Sequence, residues 1–368
     1  MTDRDAGARA RRAGPPGIDL RRRVLVVALP LAAAGAAAAA WLPAAKFAPP
    51  ARQRGATVLG VRGFGAAGDG ARDDTDAFQR AIDALPDDGG TVEVPAGSYL
   101  IDPTRRVRLR SRMHLRLAPD ARLVAKPNAE PRTYVLLASK VSDVEISGGQ
   151  VVGDRDAHAG GGEWGHGIAV RGSSRVTVRD VRVSRCWGDG VSVGGERPGA
   201  RGWASIPSED VVLSGVASIG NRRQGLTIAH ARDVQVHGCE FADTAGTLPE
   251  CGIDIEPDPP GVTNRATIED CRIHGNRGSG IQVHKRTRGV TIRGCTIEGN
   301  GGYGVLAVGS AEGTVVDNVI RGNALQGVGL RGGTRDFNVG QNSLSDNRLR
   351  RKARGRATDR DGDDDDGR

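Results

Sequence analysis

Aromatic side chains are scarce in this 368-residue chain: Phe, Trp and Tyr together make up 3%. Met occurs twice and Cys five times. Without large side chains a thick globular core is hard to fill, so thin stacked layers fit the composition better. The same shortage leaves few platforms for base stacking, and no known nucleic-acid-binding motif occurs, which argues against nucleic acid as a partner. No CxxC pair is present, and five is an odd number, so spacing assigns neither a metal site nor a disulfide. Cys239, Cys271 and Cys295 instead occupy one place in successive similar phrases, HGCEF, EDCRI and RGCTI. That placement predicts an inward stack of small apolar groups.

Glycine, by contrast, is abundant at 55 residues, and the formal net charge is +8, carried mostly by arginine. A basic surface is suited to an acidic polymer. The two ends differ from the rest. Residues 1–48 hold Arg21-Arg22-Arg23, an apolar run from Val24 to Ala45 and a small-residue exit, which predicts an export signal resembling the twin-arginine type or, if it is not cleaved, a membrane anchor. Residues 348–368 are charged and nearly devoid of apolar residues, which predicts a disordered tail. Secretion or an envelope location, with no membrane contact beyond the N-terminal segment, is the expectation.

Between these ends one phrase returns. Gly-Ile/Val/Leu-x-Val/Ile begins at Gly167, Gly190, Gly225, Gly252 and Gly280, with looser copies at Gly304 and Gly327, at spacings of 23, 35, 27, 28, 24 and 23. A period in the twenties with one alternating strand per copy signals a stacked solenoid. Asn221, Asn276, Asn300 and Asn323 each precede the repeat glycine by four residues, predicting an amide ladder; Cys186 holds that place in the second copy. Earlier alternating strands at Thr91–Val94, Ser98–Ile101, Val107–Leu109, His114–Leu117 and Val144–Ile146 carry no glycine signature. Ten or eleven coils over residues 55–347 follow. Asp74-Thr75 ahead of AFQRAIDAL predicts a side-chain-capped amphipathic helix covering the first coil, with Ala77, Ala81 and Leu85 on its buried face.

The stretch from Val61, VRGFGAAGDGARDDTDAFQRAIDALPDDGGTVEVPAGSYLI, closely resembles the N-terminal cap and first coil of the pectate lyase superfamily, in the branch named for rhamnogalacturonase and epimerase. With the repeats, the resemblance covers residues 58–347. It implies an all-β fold, a single-stranded right-handed parallel β-helix with a short N-terminal capping helix, and a secreted, polysaccharide-active protein; a monomer is the separate expectation. Gly165-His166-Gly167-Ile168 and Gly188-Asp189-Gly190-Val191 resemble two phrases of polygalacturonase-type glycosidases. The paired Asp-Asp, Asn-Thr-Asp and Arg-Ile-Lys of those enzymes are missing, and His166 precedes the acid.

Set in register on the repeat glycine, the copies show where chemistry belongs. Strand side chains alternate, so the residue between the two apolar ones faces outward. Asp254 and Glu256 form the one doubly acidic copy, with about 6.6 Å between backbone positions two apart. That lies near the roughly 6.5–9.5 Å carboxyl separation of an inverting glycosidase. Asp189, Arg223, His284 and Lys285 flank them. Acids beside cations and a His supply a base, an acid and a carboxylate-neutralising charge for β-elimination or epimerisation of a uronic acid. The Gly-rich run GDRDAHAGGGEWGHG adds Asp154, Asp156, His158, Glu163, Trp164 and His166; with Arg171, Trp187, Trp203 and Gln282 it predicts an aromatic-lined, substrate-binding cleft. No zinc or EF-hand spacing occurs; calcium stays open as a ligand of the acidic pair. The sequence reading is thus a lyase or epimerase acting on an acidic polysaccharide, with an inverting glycosidase and a non-catalytic glycan-binding rod as alternatives.

Overall fold

The computed structural model describes residues 47–196 and 205–348. The apolar run 24–45, Trp203 and residues 349–368 lie outside them, and among the described residues no helix is long and apolar enough to cross a membrane.

The chain winds into a parallel β-helix. Two sheets have eleven strands each and a third has nine, and in every sheet each strand pairs with those one turn before and after it. Eleven strands at about 4.8 Å make a stack roughly 48 Å long. Parallel strands joined by crossovers take the right-handed sense because strands twist that way. The repeat copies fall into register as their spacing predicts. Ile168 pairs with Val191, Val191 with Leu226, Leu226 with Ile253, Ile253 with Ile281 and Ile281 with Val305. All six side chains are fully buried, so like residues stack into continuous apolar columns.

The repeat glycine has a packing cause. A Cβ on Gly252 would sit 2.5 Å from Ile273 Cγ2 and 2.8 Å from Asn276 Nδ2. On Gly280 it would meet Ile297 and Asn300 as closely, at 2.5 and 2.9 Å. The ladder of asparagines therefore needs a glycine beneath it. Asn276 Nδ2 donates to Asn300 Oδ1, Asn300 to Asn323 and Asn323 to Asn347, at 2.9, 2.9 and 2.8 Å. Cys186 holds the same column by its backbone N–H, which donates to Asn221 Oδ1, and Thr244 does so on Asn276. A second ladder, Asn318 to Asn342, follows the cysteine column, where the Cys295 N–H donates to Asn318 Oδ1. All five cysteines are buried and unpaired with one another.

Two features differ from expectation. The capping helix, α1 (Thr75–Asp83), buries Ala77, Phe78, Ala81 and Ile82, but Asp74 makes no cap bond with its side chain. Its carboxylate instead accepts from the Ala67 and Gly68 amides at 2.6 and 3.0 Å, tying the preceding loop, while Asp73 accepts from the Thr75 amide at 3.0 Å. The loop amides lie within reach of Asp74 and outcompete the helix end. Second, residues before 55 are packed against the β-helix. Arg52 is buried and binds Thr177 Oγ1 at 2.8 Å and Asp210 at 2.6 Å, and the Phe47 ring lies tilted against that of His237, 4.4 Å between centroids. The segment runs back across the coils as a strap.

Candidate functional site

The third sheet forms the floor of a cleft of about 720 Å³. Its lining combines three successive repeat strands with the strand before them, Arg106 and Glu256 beside two further strands, and the turn Asp258-Pro259-Pro260. The insertion after strand Ile253–Ile255 places that turn at the rim, where its prolines hold it stiff.

Arg223 is the centre of the cleft. It enters just before strand Leu226–Ile228, and three carboxylates from three other coils surround it. Glu256 binds Nη2 at 2.6 Å, Asp189 lies 3.3 Å from Nη1, and Glu163 lies 3.4 Å from Nε, outside hydrogen-bond geometry. Glu163, Trp164, His166, Arg171, Asp189, Arg223 and Glu256 all line the cleft. Of these, Asp189 and His166 are almost wholly buried and Trp164 is exposed.

Asp254 faces outward from the strand, as the alternation requires, yet none of it reaches solvent. Gln224 Nε2 donates to its Oδ2 at 2.7 Å, and His284 lies 3.2 Å from its Oδ1. The surrounding side chains close over the strip that alternation alone leaves exposed. One oxygen each of Asp254 and Glu256, with a ring nitrogen of His284, lie within 4.8 Å of one another. Their nearest oxygens are thus closer than the roughly 6.5–9.5 Å that separates the carboxyl groups of an inverting glycosidase, so the spacing expected from the backbone is not kept at the carboxyl ends. An imidazole with two carboxylates resembles a transition-metal ligand set more than the all-oxygen shell of calcium. Arg223, already bonded to Glu256, opposes a cation there.

Five expected residues stand outside the lining: Asp254 and His284, described above, and Trp187, Gln282 and Lys285. Trp187 is sandwiched between His158, at 4.2 Å, and the Arg222 guanidinium, at 3.7 Å, and does not line the cleft. Gln282 bonds His284 at 2.9 Å behind Asp254, and Lys285 is exposed outside the lining. The acidic loop is braced rather than open: His158 binds Asp154 at 2.8 Å, and Asp156 pairs with Arg185. Conversely, Tyr134, Arg106, Arg132 and His230 line the cleft and carry no repeat signature. Arg106, Arg132 and Tyr134 precede the first glycine copy, and His230 falls one place beyond the outward positions of the Gly225 copy, so aligning on glycine passes over them. Tyr134, one of three tyrosines, was the available signal.

Burial sets the charges. Burial and the Asp254 charge push the Glu256 carboxyl up to about 8, with Arg223 opposing. Burial likewise raises Asp189, against Arg223. Burial and the nearby guanidinium groups hold His166 well below its ordinary value, so its ring is neutral. His166 Nδ1 accepts the Asp189 amide at 3.0 Å, so its proton sits on Nε2 and its 3.4 Å approach to the Asp189 carboxylate is no ion pair. For His284, burial disfavours charge but the Asp254 contact outweighs it, raising its pKa.

Residues 58–131 match the family described as rhamnogalacturonase A/epimerase, pectate lyase-like, and residues 207–355 match the right handed beta helix region. Among curated proteins, an uncharacterized protein of Bacillus subtilis, YclG, is 30% identical over 225 residues. That alignment takes in 54% of this chain and 38% of YclG, so the chain spans well under half of that relative. Among solved structures, the A-module of the mannuronan C-5 epimerase AlgE4 of Azotobacter vinelandii superposes with a TM-score of 0.58 at 19% identity, covering 79% of this chain and 95% of the module. PfbA, a surface adhesin of Streptococcus pneumoniae, superposes with 0.58 at 16% identity, covering 80% and 90%. At these identities the likeness is one of fold.

Proposed function

For a chain that is a right-handed parallel β-helix with a pectate lyase-like N-terminal segment, we infer an exported protein that removes the C5 proton of a uronic acid unit in an acidic polysaccharide, by lyase or epimerase chemistry. The observation that carries this reading is the bracket of Glu163, Asp189 and Glu256 around Arg223 in one cleft. Deprotonation next to a carboxylate needs a base, a proton donor and a way to stabilise charge developing on the carboxylate. Glu163, the most solvent-accessible of the three carboxylates, is the base. Glu256, protonated up to about pH 8, is the donor. Arg223 and the Nε2–H of His166 face the developing negative charge.

In elimination, Glu163 takes the C5 proton, the C5–H electron pair forms the C4=C5 double bond, the C4–O4 bond breaks, and Glu256 protonates O4. In epimerisation the same first step is followed by return of a proton from Glu256 to the opposite face of C5, with no bond of the chain broken. An inverting glycosidase fits less well, because the Asp254–Glu256 oxygens lie closer than its carboxyl separation and Asp254 is wholly buried.

A panel of polyuronates tests this. New ultraviolet absorbance marks elimination, and a changed C5 configuration by NMR marks epimerisation. Glu256→Gln is expected to lower the rate about 10²- to 10⁴-fold with the fold intact. Full turnover in that variant contradicts the assignment. Tight binding of every polymer with turnover of none supports the glycan-binding rod instead.

A further inference from the structure

The N-terminal half of the cleft has a different charge from its centre. Arg106 and Arg171 place their guanidinium carbons 5.4 and 5.8 Å from the Tyr134 ring centroid, and Arg132 lies 4.6 Å from that of Trp164. Tyr134 and His166 stack at 5.6 Å between them. Among the described residues no carboxylate comes within 4.0 Å of any of these three arginines. Four of the five acids of the lining are engaged elsewhere: Glu163, Asp189 and Glu256 surround Arg223, and Glu196 accepts from Ser139 Oγ; the fifth, Asp258, stands two residues beyond Glu256 on the proline turn. Arg171 is fixed by Ser192, donating to its carbonyl and its hydroxyl at 2.9 Å each, which holds the guanidinium without neutralising it.

Three clustered cations repel one another, and stacking on aromatic faces only partly offsets this. Such a set holds charge in reserve for an anion. The strand of Tyr134 lies three strand spacings, about 14 Å, from that of Arg223 along the axis. A ligand reaching both is an extended chain.

We propose that Arg106, Arg132 and Arg171, arranged around Tyr134 and Trp164, form a subsite for an anionic sugar on the N-terminal side of Arg223, taking the carboxylate or sulfate of a unit remote from the one transformed. The aromatic faces receive the sugar ring and the guanidinium groups its charge. The proposal rests on the reading of the cleft as a polysaccharide site but not on its chemistry.

Calorimetric binding to the Glu256→Gln chain, in which turnover is slowed, tests it with three hexamers: oligogalacturonate, its methyl ester, and a sulfated galactan. The uronate or the sulfated hexamer is expected to bind at least about tenfold more tightly than the ester, the worth of one charge-assisted hydrogen bond. Whichever does so names the anion. Adding Arg106→Gln and Arg171→Gln is expected to abolish the difference, as is the exposed-site change Arg132→Gln in part, where folding is not at stake. Equal binding of ester and anions, binding of neither anion, or a charge preference that survives the arginine changes overturns the subsite. Charge-dependent binding by a chain that turns over no polyuronate contradicts the proposed reaction alone. Turnover that is indifferent to the arginine changes contradicts the subsite alone.

Discussion

At the scale of single residues, the protonation of Glu256 has consequences that pH exposes. Its carboxyl is raised from an ordinary value of 4.5 to about 8 by burial and by Asp254. The folded chain therefore prefers the neutral acid, and the carboxyl costs least below pH 4.5 and most above 8. Wild-type stability should fall as pH rises through that window, by a contribution that Glu256→Gln lacks. The variant is expected to gain on wild type steadily between pH 4.5 and 8 in denaturant titrations; a constant difference contradicts the raised pKa. As the proton donor, Glu256 also predicts that kcat/KM declines above about pH 8. The sequence marked Glu256 by its pairing with Asp254. Their unequal roles were not legible, because alternation tells which way a side chain points but not what covers it. Gln224 and His284 bury Asp254 completely and leave Glu256 at the cleft.

At the scale of the element, one coil is a strand in each sheet, a ladder amide and a glycine that makes room for it. Asn300 is buried, and its side chain makes bonds to Asn276, Asn323 and the Ile273 carbonyl. Asn300→Ala leaves those partners unsatisfied, at about 1–3 kcal/mol for each buried orphan. Asn347, at the last coil, is only partly buried and should cost less on the same change; the midpoint of urea unfolding checks the order. This ladder and its glycine were legible because both recur in register. The strap was not, since Arg52 and Phe47 precede the repeats and find Asp210 and His237 only through the fold. Arg52→Ala is expected to destabilise by about 1–3 kcal/mol, because Arg52 is buried while its partner Asp210 stays half-exposed. No change in the unfolding midpoint contradicts a packed strap.

At the scale of the molecule, eleven coils of parallel strands stack into a β-helix whose third sheet carries a polar cleft. The rod was legible from period and alternation. The cleft was half legible: the repeats marked Asp189, Arg223 and Glu256, while Arg106, Arg132 and Tyr134 come from coils without the repeat. Two charge regimes meet there, a guanidinium crowded by acids and arginines without acids, and together they support the proposed site for an extended anionic chain. The claim that joins them to chemistry is loss of the C5 hydrogen. A polyuronate labelled with tritium at C5 tests it most directly, because elimination and epimerisation both release that label to water whereas hydrolysis and binding do not. The account predicts label release by the wild-type chain and its loss in Glu163→Gln. Polymer that is bound or cut with its label retained would contradict it.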